Sequence, residues 1–555
     1  MNDSNINLKW CEQFSNTIAN LGITDICICP GSRNTPLTVA FTNNPIFDCT
    51  SHIDERSASF FALGISKKKN IPSIVISTSG TAVANFFPAI IESNLSKTPL
   101  IIITADRPSS LVNSGENQTI NQIDIFGDYV RKFENINLLT NKISGNYDKI
   151  ISLFQYAIGD SEFPPGPVHI NIPFEEPLIE SLSSNDLISK KISIDNRLDY
   201  DRFTIPNLND SIIVCGEIGN QEPADKLLEL SEYISAPILA DPASNIRYLK
   251  EHNHIISNYN LFLDKIDLNP KTIIRFGRKP TSKLLCDLLK THSNVIYVDR
   301  YPTFNDSTKK IIKSDINFFV NHILASSEPI TQNINLSSLI SYQKKINPFI
   351  NKIDINHYKC EGALINNILD TIDARANIFI GNSMAIREMD DLTNNMNKKI
   401  NIYCNRGASG IDGLVSTALG ISQSSENENQ SNIAILGDLS FYHDMNGLLA
   451  ASKMDLNMKF VILNNNGGGI FSNMKIAKLN YSKFEEFWTT PLNLELNKIA
   501  DLYNLRYTEI KNTDDLEKLN RSNTKAEIFD YKIAIEDSIR NKDKILSEVE
   551  KLIKD

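Results

Sequence analysis

Apolar residues in this chain come in short unbroken runs that end abruptly in polar turns. Ile433, Ile435 and Leu436 lead into Gly437-Asp438, and Phe460, Val461, Ile462 and Leu463 lead into Asn464-Asn465-Asn466-Gly467-Gly468-Gly469. Between them Phe441, Met445, Leu448, Leu449 and Ser452 recur at helical spacing, so the stretch reads strand, helix, strand. The two strands of such a unit are parallel, and both polar ends emerge on one edge of the sheet. An aspartate carboxylate, an asparagine amide oxygen and a glycine-turn carbonyl would meet there. These are hard oxygen ligands, suited to Mg2+ with phosphate oxygens completing its shell. The same residues also read as a strand-end aspartate and an Asn-Gly turn, which are common in α/β proteins.

The pattern repeats along the chain. From residue 21 to about 178, strands are predicted at Ile26–Cys29, Cys49–Ile53, Ser73–Ser77, Leu100–Thr104 and Val168–Ile172, with helices near 35–41, 54–67, 81–94 and 147–158. Continuous apolar strands are expected where helices cover both faces of a parallel sheet. Polar residues cluster just after the strands, at Pro30-Gly31-Ser32-Arg33, Ser79-Gly80-Thr81 and Asp106-Arg107-Pro108, where open α/β sheets bind ligands. Residues 181–210 read as a linker. A second block holds strands Ile212–Cys215, Thr272–Phe276 and Val295–Val298. Gly216 and Gly219 there resemble part of a dinucleotide fingerprint, but the full glycine pattern is missing and a structural turn is the better reading. A third block holds Ile378–Ile380, Asn401–Cys404 and the unit described first; Gln423–Asn432 reads as a low-complexity surface loop. The charged tail 535–555 reads as a solvated amphipathic helix. The expected architecture is therefore α/β, with three doubly wound parallel-sheet domains at 1–182, 183–340 and 341–555.

Composition narrows the partners. A chain of 555 residues is long enough for about three or four domains, and 41% hydrophobic with 22% charged residues is ordinary for a globular protein. A net charge of −10 argues against general binding of nucleic acid or anionic membranes, so anions would be met by locally placed arginines. The first residues show no signal peptide, and no apolar run reaches spanning length. The eight cysteines are scattered; the closest pair, Cys27 and Cys29, lies along one apolar strand and suits neither a disulfide nor a shared metal, so reduced thiols in a cytoplasmic protein are expected. The histidines have no zinc-like spacing, and His252 and His254 lie in a polar stretch expected to be solvated.

Several motifs together resemble thiamine diphosphate-dependent enzymes: Cys29 to Pro36 (CPGSRNTP), His52 to Ala58 (HIDERSA), Thr78 to Asn85 (TSGTAVAN), Thr104 to Pro108 (TADRP), Asn117-Gln118, Asn405 to Gly413 (NRGASGIDG) and Asn464 to Phe471 (NNNGGGIF). They span the first and third blocks in order. In the central block only Gly277 to Lys283 (GRKPTSK) is similar. The resemblance implies a pyrimidine-binding, a central and a diphosphate-binding domain. It also implies thiamine diphosphate with Mg2+ (or Mn2+) on Asp438, Asn465 and the carbonyl of Gly467, with Ser440 beside the cofactor. Where the family commonly has Gly-Asp-Gly, this chain has Gly437-Asp438-Leu439-Ser440, a variant that points to the branch joining 2-oxoglutarate to isochorismate.

Glu55 follows a strand and opens a helix leading into Ala58, Phe60, Phe61 and Leu63. By resemblance it is the catalytic carboxyl that hydrogen-bonds the cofactor's aminopyrimidine ring, and an apolar wall around it would raise its pKa. By position alone it is a helix N-terminal acid, like Asp54, that complements the helix dipole. Ile411 resembles the aliphatic residue beneath the bent cofactor, and otherwise reads as an ordinary buried loop residue. Both implied substrates are dianions, for which arginine's planar fork is suited. Arg33, Arg107, Arg387 and Arg406, with Lys283, are the candidate cations, and Ser32, Asn117, Gln118, Ser383 and Phe471 the candidate neighbours. A basic residue expected after Lys283 is replaced by Leu284, and Arg278 is the candidate substitute. The family builds its sites between subunits, implying a homodimer or homotetramer. Two other readings use the same residues: another thiamine diphosphate-dependent decarboxylase or carboligase, such as an acetolactate synthase, and a non-catalytic nucleotide-binding protein. The arginine set and Leu439 count against the first. The joint presence of Glu55, Asp438 and Asn465 counts against the second.

Overall fold

Three six-stranded parallel sheets form the frame of the protein in a computed structural model. It describes residues 6–554 except 137–142, 183–198, 220–221, 303–305, 307, 309, 374, 426–429, 480 and 522–524. Most of the predicted linker and the middle of the predicted loop Gln423–Asn432 lie outside the described residues.

The first sheet comprises β1 (Asp25–Ile28), β2 (Asp48–Ser51), β3 (Ser73–Ser77), β4 (Leu100–Asp106), β5 (Lys132–Asn135) and β6 (Pro167–Pro173), in the order β2-β1-β3-β4-β6-β5. The second comprises β7 (Ser211–Cys215), β8 (Ile238–Ala240), β9 (Ile255–Ile256), β10 (Thr272–Phe276), β11 (Val295–Asp299) and β12 (Lys310–Lys313), in the order β12-β11-β10-β7-β8-β9. The third comprises β13 (Ala376–Ile380), β14 (Ile400–Tyr403), β15 (Ser431–Gly437), β16 (Lys459–Asn464), β17 (Arg506–Glu509) and β18 (Glu527–Lys532), in the order β14-β13-β15-β16-β18-β17. Every residue of β1, β3, β4, β7, β10 and β13 is buried, as parallel strands covered on both faces require.

By compactness the chain forms two units. The first contains residues 1–198, 405–426 and 443–456. In it helix Glu55–Lys69 crosses helix Leu414–Gln423 glycine against backbone: a Cβ on Gly64 would come within 2.1 Å of the Thr417 carbonyl, and one on Gly420 within 2.0 Å of the Phe61 carbonyl. The second unit contains residues 199–404, 427–442 and 457–555, and a single apolar core joins its two sheets, drawing on Leu239, Ile273, Leu364, Ile378, Ile435 and Val461. Arg247 is wholly buried there and donates to Asp390 Oδ1 at 3.1 Å, while the Tyr259 hydroxyl donates to the same oxygen at 2.9 Å.

Four expectations are corrected. The segment between β15 and β16 is two short helices, Asp438–His443 and Leu448–Lys453, rather than one. They break at Asp444, whose buried carboxylate accepts Ser416 N–H at 2.7 Å and the Ser57 hydroxyl at 3.2 Å. Gln423 ends a helix and Ser431 begins β15, so the ends of the predicted loop are ordered elements. The tail helix Ile535–Lys554 sends Ile545 and Val549 into the core, and its Lys542 pairs with Glu388 at 2.6 Å and Asp391 at 2.8 Å. His252 and His254 are half-buried rather than solvated, bonded to Glu232 at 3.1 Å and Ser231 at 2.9 Å. At Gly216 the backbone passes close to its neighbour: a Cβ there would lie 1.8 Å from the Arg278 carbonyl. All eight cysteines are free thiols, and among the described residues no helix is long and apolar enough to cross a membrane.

Candidate active site

The third sheet brings its two polar strand ends side by side. β15 and β16 are neighbours, and their register pairs Gly437 with Leu463, so Asp438 and Asn465 leave the same edge one and two residues later. Asp438 is 4% exposed; its Oδ1 accepts its neighbour Leu439 N–H at 2.7 Å and its Oδ2 accepts Gly467 N–H at 2.8 Å. Burial pushes its pKa up to about 6, against the lowering effect of these backbone donors. Gly467 has φ +142°, and a Cβ there would meet the Thr489 carbonyl at 2.2 Å, so the turn that carries its amide to Asp438 excludes a side chain.

Asn465 donates its amide N–H to Glu361 Oε1 at 3.1 Å, while its Oδ1 is buried without a hydrogen-bond partner. A buried acceptor left open beside a buried carboxylate is an unusual arrangement in a folded protein. The Gly467 carbonyl accepts Gly469 N–H at 3.0 Å and keeps a second lone pair. One carboxylate, one open amide oxygen and one backbone carbonyl form a donor set that fits a hard divalent cation. Among the described residues no group of three or more His, Cys, Asp or Glu could hold a metal, which separates this site from a zinc centre. Ser440 is buried just beyond Asp438, and Phe471 is half-buried over Gly468, where a Cβ would touch its ring at 2.6 Å.

Residues 9–125 match the model for the thiamine pyrophosphate enzyme N-terminal TPP binding domain, and residues 392–527 match that for the C-terminal TPP binding domain. The 2-succinyl-5-enolpyruvyl-6-hydroxy-3-cyclohexene-1-carboxylate synthase of Bacillus velezensis is 35% identical over 522 residues, covering 90% of this chain and 89% of that protein. The synthase of the same name from Staphylococcus aureus strain JH9 is 33% identical over 563 residues, covering 99% and 98%. This chain belongs to that synthase family. Benzoylformate decarboxylase from Polynucleobacter necessarius shares the fold, with a TM-score of 0.73 at 16% identity over 95% of this chain and 98% of that one.

In this member of the synthase family the first unit carries Ser32, Arg33, Glu55, Arg107, Asn117, Gln118, Arg406 and Ile411. Arg107, at the end of β4, donates to the Ser79 hydroxyl and to the Gln118 carbonyl at 2.6 Å. The Gln118 amide returns a hydrogen bond to the Ser79 carbonyl at 3.1 Å, and Gln118 takes φ +56° to do so. Arg33 donates to the Phe174 carbonyl at 3.1 Å and pairs with Glu176 at 3.0 Å. Burial and then the neighbouring Arg33 charge lower the pKa of Arg107, so these two guanidiniums share one field. Ser32, next to Arg33, and Asn117, next to Gln118, are exposed.

Asp54, rather than Glu55, caps helix Glu55–Lys69, accepting Ser57 N–H at 3.2 Å. Glu55 is half-buried and accepts the Asn85 amide at 3.3 Å. The expected apolar wall is elsewhere: Ala58, Phe60, Phe61 and Leu63 are buried in the body of the unit, with Phe60 against Gly413 and Phe61 against His52. Ile411 is 41% exposed, so it is not the buried loop residue that one reading made it. Its loop is held by Glu92, whose buried carboxylate accepts the N–H groups of Gly407 at 2.9 Å and Ala408 at 2.7 Å.

The second unit carries Lys283, Ser383, Arg387 and Phe471 with the Asp438 site. Ser383 holds φ +64° after β13, and its carbonyl accepts Arg387 at 2.5 Å. Lys283 is exposed at the first turn of helix Lys283–Thr291, capped by Ser282. Arg278, the candidate substitute for the missing basic residue, faces Glu217 at 3.7 Å. Glu361 and Glu92 were not predicted. Their partners lie 104 and 315 residues away, and no local pattern announces them.

Proposed function

We propose that this chain is a thiamine diphosphate-dependent carboligase that decarboxylates 2-oxoglutarate and adds the succinyl carbanion to isochorismate. The products are 2-succinyl-5-enolpyruvyl-6-hydroxy-3-cyclohexene-1-carboxylate and CO2, on the route to menaquinone or phylloquinone. The observation that carries the reading is likeness along almost the whole chain to synthases named for that product.

Residues 1–182 would bind the cofactor's pyrimidine and 341–555 its diphosphate, with 183–340 between them. Asp438, the open oxygen of Asn465 and the Gly467 carbonyl would hold Mg2+ or Mn2+ and so neutralise the diphosphate. When bound, the cofactor supplies the carbon nucleophile and the electron sink for decarboxylation. Glu55 would hold a proton at the pyrimidine ring, and Asn85 orients its carboxyl. Ile411, presented on a loop that Glu92 pins, would support the cofactor from below. Ser440 would lie beside the diphosphate.

Arg33 and Arg107 repel one another in one field, and a dianionic substrate would relieve that repulsion through charge-assisted hydrogen bonds. Arg387, Arg406 and Lys283 would meet other carboxylates, with Ser32, Asn117, Gln118 and Ser383 as hydrogen-bond partners and Phe471 as an apolar wall. A homodimer or homotetramer in the cytoplasm, with sites completed between subunits, is part of this proposal. The test mixes protein, thiamine diphosphate, Mg2+, 2-oxoglutarate and isochorismate and follows the product by mass spectrometry. The expected result is product that requires all four additions; CO2 release with no adduct to isochorismate would overturn the assigned acceptor.

A further inference from the structure

Asn465 offers one open oxygen because something holds its other end. Glu361 opens helix Glu361–Thr371, is 6% exposed, and lies 104 residues before Asn465. Its Oε1 accepts the Asn465 Nδ2–H at 3.1 Å, and its Oε2 accepts the Ser538 hydroxyl from the tail helix Ile535–Lys554. A carboxylate accepts hydrogen bonds and donates none. It therefore selects the NH2 end of the Asn465 amide and turns Oδ1 away, and Oδ1 is the buried atom left without a partner. The other side of Nδ2 is closed by backbone, since a Cβ on Gly469 would stand 2.8 Å from it. The tail helix is itself anchored, one turn beyond Ser538, by the pairing of Lys542 with Glu388 and Asp391.

We propose that Glu361 is a positioning residue that sets the amide orientation of Asn465 for the divalent cation, with Ser538 steadying its carboxylate. This rests on the reading of Asn465 as a cation ligand. Its consequence is that the tail helix, distant in sequence from every cofactor motif, helps build the cation site. Outer-shell partners of this kind orient the groups that touch a metal and tune its affinity.

The test uses the full chain with saturating thiamine diphosphate and Mn2+ as the probe. The half-saturating Mn2+ concentration is read from the thermal shift and, separately, from the electron paramagnetic resonance signal of free Mn2+. Glu361→Ala is expected to raise it roughly 10- to 100-fold, whereas Glu361→Gln stays within about threefold, because glutamine still accepts from Asn465 and its own NH2 can donate to Ser538. Asn465→Asp should bind Mn2+ more weakly than Asn465→Asp combined with Glu361→Gln, since two carboxylates face one another only in the single variant. Glu361→Ala within about threefold of the unaltered protein would overturn the proposal, as would Glu361→Gln failing as badly as Glu361→Ala. If Glu361→Ala does not fold, the comparison of the Asn465→Asp single and double variants decides. No response of the unaltered protein to Mn2+ and cofactor would remove the cation reading itself, and the positioning role with it.

Discussion

Asp438 and Gly467 are joined by a hydrogen bond of 2.8 Å across 29 residues, from the glycine amide to a buried carboxylate. This bond ties the end of β15 to the turn after β16, and backbone donors orient the Asp438 carboxylate. Asp438→Asn would replace one accepting oxygen by an amide NH2, set against an N–H donor. The variant is expected to lose the rise in Tm that thiamine diphosphate with Mg2+ gives by binding the folded state, measured by thermal denaturation. EDTA should remove the same rise from the unaltered protein, and Mn2+ should restore it. A full cofactor-dependent shift in Asp438→Asn would exclude this carboxylate from the cation site.

Ile411 separates two readings by stability alone. A buried loop aliphatic cut back to alanine costs about 2–5 kcal/mol. Ile411 is 41% exposed, and exposed positions change stability by about 0.5 kcal/mol or less. Ile411→Ala is therefore expected to unfold at nearly the same urea concentration as the unaltered protein without cofactor, yet to turn over more slowly with it. A large loss of stability with unchanged turnover would return Ile411 to the core.

Arg107→Ala removes one of two guanidiniums that share a field, together with its bonds to the Ser79 hydroxyl and the Gln118 carbonyl, while Ser79 and Gln118 stay bonded to each other. Losing one charge-assisted hydrogen bond to a carboxylate is worth roughly 1.5–3 kcal/mol, a factor of about 10 to 150 in kcat/KM. The cofactor-dependent rise in Tm should stay within about a degree or two of the unaltered value, because the residue is assigned to substrate. Equal loss of cofactor and substrate binding would contradict that assignment.

How much of this was legible in the chain depended on distance along it. Runs such as Ser73–Ser77 and Thr272–Phe276 give β3 and β10 to the residue, because strands buried on both faces read as near-continuous apolar runs; the charge that β10 does carry, Arg275, is buried against Asp306 at 2.8 Å. The loop residues Arg33, Arg107, Asp438 and Asn465 were legible as strand-end polar clusters. Their pairing needs the strand order, which sets β15 beside β16 and is written in no single segment. The break at Asp444 arises from Ser57 and Ser416, which out-compete the helical pattern of residues 441–452 through a buried carboxylate. Glu55 is the converse: its motif was legible, but the apolar residues after it line the interior of the unit, and Asn85 is the partner it has. Glu92 and Glu361 act at ranges that no spacing rule covers.

Acid should weaken the first unit through two buried histidines. Burial lowers the pKa of His52 to about 4 and of His169 to about 3, whereas in the unfolded chain each titrates near 6.5. A base with a lowered folded pKa gives full stability above about pH 6.5, and loses it as pH falls and the unfolded chain alone takes up protons. Between pH 7 and pH 5 each histidine should cost about 2 kcal/mol. Carboxylates raised by burial, such as Asp444 at about 6, act in the opposite sense and cancel when a variant is compared with its parent. His169→Leu suits the test, since His169 packs between Phe126 and Phe133 and the Thr104 hydroxyl keeps its bond to Asn171 at 2.7 Å. Trp10, stacked on Phe14 in the same unit, reports urea unfolding in a background with Trp488→Phe. The variant is expected to lose about 2 kcal/mol less than its parent on going from pH 7 to pH 5. An equal loss in both would mean that His169 takes up its proton inside the folded sheet.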